Sequence, residues 1–291
     1  MIRVAVVGLA FGIVLSTPVS AQTGEIDAGD ARINYLSSGH GHAVVLIHGW
    51  ALHLREWDDQ IRALSPEFRV VAYDRRGFGR STGFADISAD PGDLALLLDT
   101  LGIRSAVLVG HSAGADVAYR FAAAFPGRVD GLVLYGGPPP SGFPALPAGP
   151  FAQDPRRAIA REHGVDSLMK FVTSLPQFQP GPNRTAATAA RLNSIVRQYS
   201  GRDLLEDHPL SGRFSPAALD AVRQWRMPIL YISGEREAPR WLQVTDSLVR
   251  WLPNARRVLV PGGGHGVHFD EPDRFNQALL AFLRELPRDK P

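Results

Sequence analysis

A serine between two glycines is the first feature of this 291-residue chain that could do covalent chemistry. Residues 110–114 read GHSAG, with Ser112 at the centre. A buried strand is predicted over 106–109 and an alanine-rich helix over 113–125, so the serine lies on a sharp turn between them. Such a turn projects the hydroxyl away from the backbone, and the glycines avoid a Cβ clash. The pattern predicts that Ser112 is a catalytic nucleophile.

A serine hydroxyl of ordinary pKa is a weak nucleophile, so Ser112 needs a general base and an acid that orients the base. Where a serine occupies such a turn, the acid precedes the histidine along the chain. His265 is the predicted base, because it lies in a glycine-rich loop after the last predicted strand. Glu237 is the predicted acid, because it follows the preceding predicted strand. Glu235, two residues earlier, is the alternative acid.

Two backbone N–H groups must hold the oxyanion that forms when a serine attacks a carbonyl carbon. The first predicted donor is the N–H of Ala113, directly after the nucleophile. The second is the N–H of Trp50, in the loop after the strand predicted over 43–47. The side chain of Trp50 either lines the substrate pocket or packs in the core. The predicted pocket residues are Trp50, His53, Phe143 and Phe171.

Short apolar strands alternate with amphipathic helices after residue 21, which is typical of an α/β fold with a mostly parallel, doubly wound sheet. An edge hairpin is predicted over 25–27 and 31–36, followed by strands at 43–47, 69–73, 106–109, 131–135, 229–232 and 257–260. The predicted helices between these strands and after them span 90–101, 113–125, 241–251 and 273–286.

The segment 138–224 interrupts this alternation, because it shows no strong signal for a parallel strand. It opens with three prolines and continues with amphipathic segments at 165–174 and 185–199. A disordered linker would contain fewer aromatic and branched apolar side chains. We therefore expect a helical cap at 138–224, inserted between two parts of the core at 22–137 and 225–291.

Residues 1–21 have the pattern of a secretory signal peptide. Arg3 precedes an apolar run over 4–15, and small residues end the segment. We expect cleavage after Ala21 and export to the periplasm or the medium. The apolar run is shorter than the about 20 residues that span a bilayer, so no stable membrane anchor is expected after cleavage. An uncleaved N-terminal anchor is the alternative.

Composition argues against several other classes of function. The chain has no cysteine, which excludes thiol nucleophiles, cysteine-based zinc sites and iron–sulfur centres. The formal net charge is only +2 and no basic block occurs, so no nucleic-acid partner is expected. Histidines and carboxylates do not show the spacing of a metal site, so no metal is expected either.

Four motifs together resemble the α/β-hydrolase superfamily, in particular its small esterases, lactonases, perhydrolases and cofactor-free haloperoxidases. They are HGW at 48–50, YDRRGFGRS at 73–81, the serine turn at 110–114, and GH at 264–265 followed by Pro272 and FNQ at 275–277. The resemblance covers the whole mature chain and implies an α/β-hydrolase fold without metal or organic cofactor. It gives 74–81 a structural role and places the acid at Glu237, where most members have aspartate.

The resemblance implies acyl-enzyme chemistry, with a small-molecule carboxylic ester or lactone as the substrate. Haloalkane dehalogenases and epoxide hydrolases use an aspartate nucleophile at the position of Ser112, so their chemistry is not expected. Perhydrolysis, carbon–carbon bond hydrolysis and aminopeptidase action on the same triad are the alternatives. A ligand-binding or sensing protein with vestigial catalysis is the alternative from another class. The sequence leaves the oligomeric state open.

Overall fold

The structure of the protein is a computed structural model, and it describes residues 21–144 and 155–287. The strands are β1 Ala21–Asp27, β2 Arg32–Ser38, β3 Ala43–Ile47, β4 Arg69–Tyr73, β5 Ala106–His111, β6 Val129–Tyr135, β7 Ile229–Gly234 and β8 Ala255–Val260. They form a sheet in the order β1-β2-β4-β3-β5-β6-β7-β8. The pairs β1–β2 and β2–β4 are antiparallel, and β4, β3 and β5 to β8 run parallel to one another.

The described helices are α1 Asp58–Leu64, α2 Asp90–Thr100, α3 Ala113–Ala124, α4 Arg156–His163, α5 Val165–Ser174, α6 Ala186–Arg197, α7 Arg202–Leu205, α8 Leu219–Val222, α9 Pro239–Trp251, α10 Val267–Asp270 and α11 Pro272–Glu285. Short 3₁₀ turns occur at Leu54–Trp57, Pro126–Arg128 and Pro176–Phe178. The predicted fold class is confirmed. Strands β3 and β4 have their predicted bounds, and β5 to β8 are each two residues longer than predicted.

The sheet core is buried on both faces, which explains why its strands are apolar at consecutive positions. On one face, Leu97 of α2, Phe121 of α3 and Leu248 of α9 belong to one apolar cluster. On the other face, Leu64 of α1 and Leu279 of α11 belong to a second cluster. The helices therefore fix the sheet from both sides and hold the ends of its strands in place.

A helical insertion lies between β6 and β7, and it contacts the core at two loops. Leu168 and Leu204 of the insertion share an apolar cluster with Ala51, which lies beyond β3. The buried carboxylate of Asp270 accepts hydrogen bonds from the N–H of Gly181 at 2.9 Å and from Arg184 at 2.8 Å. The insertion therefore contacts the core at the loop after β3, through Ala51, and at α10, through Asp270.

Parallel strands place their carboxyl ends at one edge of a sheet, and ligands bind there in open α/β folds. The loops after β3, β5, β6, β7 and β8 all leave this edge. The predicted signal peptide at 1–21 falls on residues 1–20, outside the described residues, and on Ala21, the first residue of β1. Within the described part of the chain, no helix has the length and apolarity to span a membrane.

Candidate active site

Ser112 lies on the turn between β5 and α3 and has a strained backbone. Its φ is +51° and its ψ is −115°, a region that non-glycine residues rarely adopt. The strain is held by neighbouring hydrogen bonds, because the Ser112 N–H donates to Tyr135 O at 2.9 Å and the Ala115 N–H donates to Ser112 O at 3.0 Å. Backbone strain retained at a single polar residue is typical of a functional site.

His265 and Glu237 meet beside this serine, although 28 residues separate them in sequence. The Nδ1 of His265 lies 2.9 Å from Oε2 of Glu237, and both side chains are buried. The other carboxylate oxygen of Glu237 accepts the N–H of Ala238 at 2.9 Å. Burial alone would raise the pKa of Glu237, but His265 and the Ala238 N–H hold it below its usual value. An ionised carboxylate therefore orients the imidazole.

Glu235, the alternative acid, is exposed and points to another loop. Its Oε2 accepts the N–H of Gly262 at 3.2 Å. Glu237 and not Glu235 contacts the imidazole, so the geometry favours Glu237 as the orienting acid.

A pair of glycines after β6, which the sequence analysis did not single out as functional, makes room for this arrangement. A Cβ on Gly136 would lie 2.8 Å from Cε1 of His265, and Gly136 has a φ of +61°. A Cβ on Gly137 would lie 2.9 Å from Ser112 O. The sequence did contain a signal for them, because two consecutive glycines directly follow a predicted buried strand. The loops that contain Ser112 and His265 also follow predicted strands.

The loop after β3 offers one of the two expected oxyanion donors. The N–H of Trp50 has no acceptor among the residues that the structure describes. Ala113 is the first residue of α3, where backbone N–H groups have no intrahelical acceptor. The indole of Trp50 is fixed by a hydrogen bond of 2.8 Å to Asp203 and by edge contact with Tyr199. Asp203 and Tyr199 lie in the insertion and carried no signal in the sequence.

The segment after β4 supports the same loop. The Arg75 N–H donates to Nε2 of His48 at 2.8 Å, and Nδ1 of His48 contacts Gly49 O at 2.7 Å. Burial, assisted by the charge of Arg75, keeps the pKa of His48 well below its usual value. The imidazole is therefore neutral, with one nitrogen accepting and the other donating.

A cavity of about 350 Å³ opens above Ser112, between the sheet edge and the insertion. Ser112, His265, Ala113 and Trp50 line it together. The rest of the lining is largely apolar and includes Leu52, Met169, Val172, Phe178, Leu192, Val196, Trp241 and Phe269. The volume lies in the range of small-molecule sites, and the lining suits a partly apolar ligand.

Three of the four side chains predicted for the pocket lie elsewhere, so this part of the expectation is corrected. His53 caps the 3₁₀ turn after the Trp50 loop, because its Nδ1 accepts the N–H of Arg55 at 3.3 Å. Phe143 packs on Trp251 with ring centroids 5.1 Å apart. Phe171 packs against the apolar cluster that Leu168 and Leu204 share with Ala51, and it does not line the cavity. Trp50 lines the cavity as expected.

Comparisons with known proteins agree with this architecture. Residues 42–272 match the family model described as alpha/beta hydrolase fold. The chain belongs to the α/β-hydrolase family. It is 30% identical over 278 residues to the 2-hydroxy-6-oxononadienedioate/2-hydroxy-6-oxononatrienedioate hydrolase of Burkholderia vietnamiensis, covering 89% of this chain and 93% of that protein. It is 30% identical over 266 residues to the non-heme chloroperoxidase of Streptomyces lividans, covering 84% of this chain and 92% of that protein.

A solved structure extends the comparison of this α/β-hydrolase to three dimensions. The thermophilic esterase from Thermogutta terrifontis superposes with a TM-score of 0.72 at 26% identity, covering 91% of this chain and 98% of the esterase. The likeness covers most of both chains, so it does not rest on one motif.

The acid of this hydrolase can be tested by one pair of substitutions. Glu237→Gln keeps the shape of the side chain but favours the wrong imidazole tautomer, so we expect kcat for an ester substrate to fall by about 10⁴-fold. Glu235→Gln is the matched control and is expected to change kcat little, because Glu235 is exposed. Steady-state kinetics of both variants measure the effect. A larger loss for Glu235→Gln would reassign the acid.

A second group of polar side chains is buried behind the turn that contains Ser112. Glu56 is fully buried, its Oε1 lies 3.3 Å from Nδ1 of His111, and its Oε2 accepts the Gly49 N–H at 3.4 Å. His268 is also fully buried, with Nε2 4.0 Å from Oε1 of Glu56. One carboxyl thus contacts the loop after β3 and the turn before Ser112, and it lies close to His268 of α10.

The three side chains form a close, buried group whose hydrogen bonds suit a neutral carboxyl. Ligand atoms of Glu56, His111 and His268 lie within 4.8 Å of one another. Burial raises the pKa of Glu56 well above its usual value, only partly offset by the Gly49 N–H. Burial lowers the pKa of both histidines. A neutral carboxyl can donate its proton to His111 and accept from the Gly49 N–H.

Substitutions of Glu56 should separate its hydrogen bonds from its titration. Glu56→Ala leaves His111 Nδ1 without its partner, so we expect a loss of about 1–3 kcal/mol in the free energy of unfolding. Glu56→Gln retains both hydrogen bonds of the neutral carboxyl. Because the folded-state pKa is raised, the stability due to Glu56 is complete below the unfolded pKa of about 4.3 and is lost as pH rises toward the folded pKa.

Urea unfolding at pH 5 and pH 8 measures this difference. The stability of Glu56→Gln relative to wild type is expected to increase from pH 5 to pH 8. A relative stability that decreases over this interval would show that Glu56 is ionised in the folded protein.

Proposed function

We propose that this hydrolase cleaves small carboxylic esters or lactones through an acyl-enzyme on Ser112. The observation that supports the proposal most is the 2.9 Å contact between buried His265 and Glu237 at the wall of the cavity that contains Ser112. An imidazole oriented by a carboxylate activates a serine hydroxyl in its reach. The likeness to the Thermogutta terrifontis esterase supports the same reaction class.

In the acylation step, Oγ of Ser112 attacks the carbonyl carbon while Nε2 of His265 takes the hydroxyl proton. The carbonyl oxygen becomes an oxyanion, and the N–H groups of Trp50 and Ala113 donate to it. The carbon–oxygen bond to the alcohol then breaks, and His265 returns its proton to the departing oxygen. The products of this step are the free alcohol and an acyl group on Ser112.

In the deacylation step, a water molecule attacks the acyl carbon and His265 takes a proton from it. The bond to Oγ of Ser112 breaks, and His265 gives the proton back to Oγ. The sum is one ester and one water converted to one acid and one alcohol. Glu237 stabilises the imidazolium in both steps, and its burial strengthens this interaction relative to water.

The expected substrates follow from the cavity. Its largely apolar lining fits a short to medium acyl chain, and its volume of about 350 Å³ favours small molecules over polymers. A panel of aryl esters and lactones of graded acyl length, turned over by the purified protein, tests the proposal. Turnover of none of them, together with failure of a fluorophosphonate to label Ser112, would overturn it.

A further inference from the structure

One arginine in the cavity wall has no part in the proposed reaction, and no carboxylate partner for it occurs among the residues that the structure describes. Arg240 lines the cavity, yet among the residues that the structure describes no carboxylate lies within ion-pair distance of it. Its Nε is enclosed by protein and donates to no described acceptor. Its one described contact is with the ring of Trp241, whose centroid lies 4.8 Å from Cζ. A buried donor without an acceptor costs free energy.

The position of Arg240 in its helix adds to this cost. Arg240 is the second residue of α9, and no acidic residue occurs in the first turn of that helix. The N-terminal end of a helix has a partial positive charge that repels a cation, and the Glu237 carboxylate, which accepts the N–H of the N-cap residue Ala238, offsets only part of it. A negative charge next to Arg240 would remove both the unpaired donor and the repulsion.

The other charged groups that line the cavity have partners of their own. Asp116 forms an ion pair with Arg120, with Nε 3.0 Å from Oδ2. Arg184 forms an ion pair with Asp270, with Nη2 2.7 Å from Oδ1. Arg156 stacks on the ring of Trp50, with Cζ 4.6 Å from the centroid. The described lining contains three arginines and one aspartate, so it is positive overall.

We propose that Arg240 binds a carboxylate of the substrate. The inference rests on the proposed ester hydrolysis and narrows it to esters or lactones that bear a free carboxylate in addition to the reacting carbonyl. A guanidinium holds a carboxylate with two parallel hydrogen bonds, which suits the planar group better than a neutral one. Among the described lining residues, the guanidinium of Arg240 matches a single negative charge of the substrate, and the apolar lining contacts the chain between this charge and the ester.

Matched pairs of substrates test the proposal on each side of the ester bond. For a charge on the acyl side, 4-nitrophenyl hydrogen adipate is compared with its neutral primary amide. For a charge on the alcohol side, 4-butyryloxybenzoate is compared with 4-butyryloxybenzamide. The quantity measured is the ratio of kcat/KM for the charged ester to that for the neutral ester, which cancels any effect of a variant on the reaction itself.

Arg240→Gln is expected to lower this ratio by about 10- to 100-fold for one of the two pairs, since a hydrogen-bonded charge pair is lost. The pair that responds shows which side of the ester carries the carboxylate. Arg250→Gln, an exposed position in the last turn of the same helix, removes the same charge and is the control. Equal ratios for wild type and Arg240→Gln in both pairs would overturn the proposal.

A binding measurement tests the carboxylate site even if the protein hydrolyses no ester. Calorimetric titration with adipate compares Ser112→Ala with the double variant Ser112→Ala/Arg240→Gln, and no turnover is needed. Binding that weakens by about 10-fold or more in the double variant supports the carboxylate site even if no ester is hydrolysed. Binding of equal strength in the two proteins, or no binding by Ser112→Ala, would count against Arg240 while leaving ester hydrolysis to the panel above.

Discussion

Replacing Ser112 with alanine is expected to lower kcat for a responsive ester by about 10⁴- to 10⁶-fold, the range seen when the nucleophile of a serine hydrolase is removed. The substitution deletes the oxygen that forms the acyl-enzyme, whereas the Trp50 and Ala113 N–H groups and the cavity remain. The residual rate then reflects oxyanion stabilisation and binding alone. Steady-state hydrolysis of the best aryl ester, with product measured over long times, gives the value.

Ser233→Ala provides the control for this experiment. Ser233 is buried in β7, which lies two strands from β5 and its serine turn, and it does not line the cavity. The same atom is removed from a neighbouring part of the sheet, so kcat is expected to stay near the wild-type value. If Ser112→Ala kept most of the wild-type turnover, the nucleophile would have to be another residue and the acyl-enzyme on Ser112 would be excluded.

The catalytic candidates could be found from the sequence because each lies at the end of a strand with a local signal. Consecutive apolar residues mark β5 and β7, and glycines mark the turns that contain Ser112 and His265. The order of strands in an α/β sheet then brings their carboxyl ends to one edge. Proximity between distant residues, such as Glu237 and His265, therefore followed from topology and did not require knowledge of the packing.

The substrate pocket could not be found in this way, because it depends on how the insertion packs on the core. Phe143 and Phe171 are apolar residues of the segment that covers the site. The ring of Phe143 packs on Trp251, and Phe171 packs against the cluster that contains Leu168 and Leu204. Hydrophobicity predicts that a side chain is buried and does not determine which cavity it faces. The lining instead includes Met169 and Val172, from the same helix as Phe171.

Buried polar groups were missed for a related reason. Glu56 stands in a 3₁₀ turn next to two acidic residues of α1, and its sequence resembles a solvent-exposed helix start. Only the folded chain shows that it contacts His111 and Gly49. Arg240 likewise lies in an ordinary polar helix start, and only the structure shows that its Nε has no described acceptor. Contacts between loops of different strands carry no local pattern.

Gly114→Ala is expected to have the largest effect on stability, although alanine is the better helix former. A Cβ on Gly114 would overlap the carbonyl oxygen of Ile47 and lie 2.8 Å from that of His48. Both are backbone atoms at the end of β3, so no side-chain rotation relieves the clash. Overpacking of this kind costs about 3 kcal/mol. Alanine in a helix gains only about 1 kcal/mol over glycine. The clash therefore dominates, with a net loss of about 2 kcal/mol or more.

Urea unfolding measures this loss, and Gly127→Ala is its control. A Cβ on Gly127 meets no atom within 4 Å, so its stability is expected to stay within about 0.5 kcal/mol of wild type. The Gly114 variant should also lose activity, because relief of the clash moves α3, which begins beside Ser112, away from the loop that contains Trp50. Unchanged stability would mean that α3 and β3 lie farther apart than the structure shows, and the two proposed oxyanion donors would then not face one oxygen.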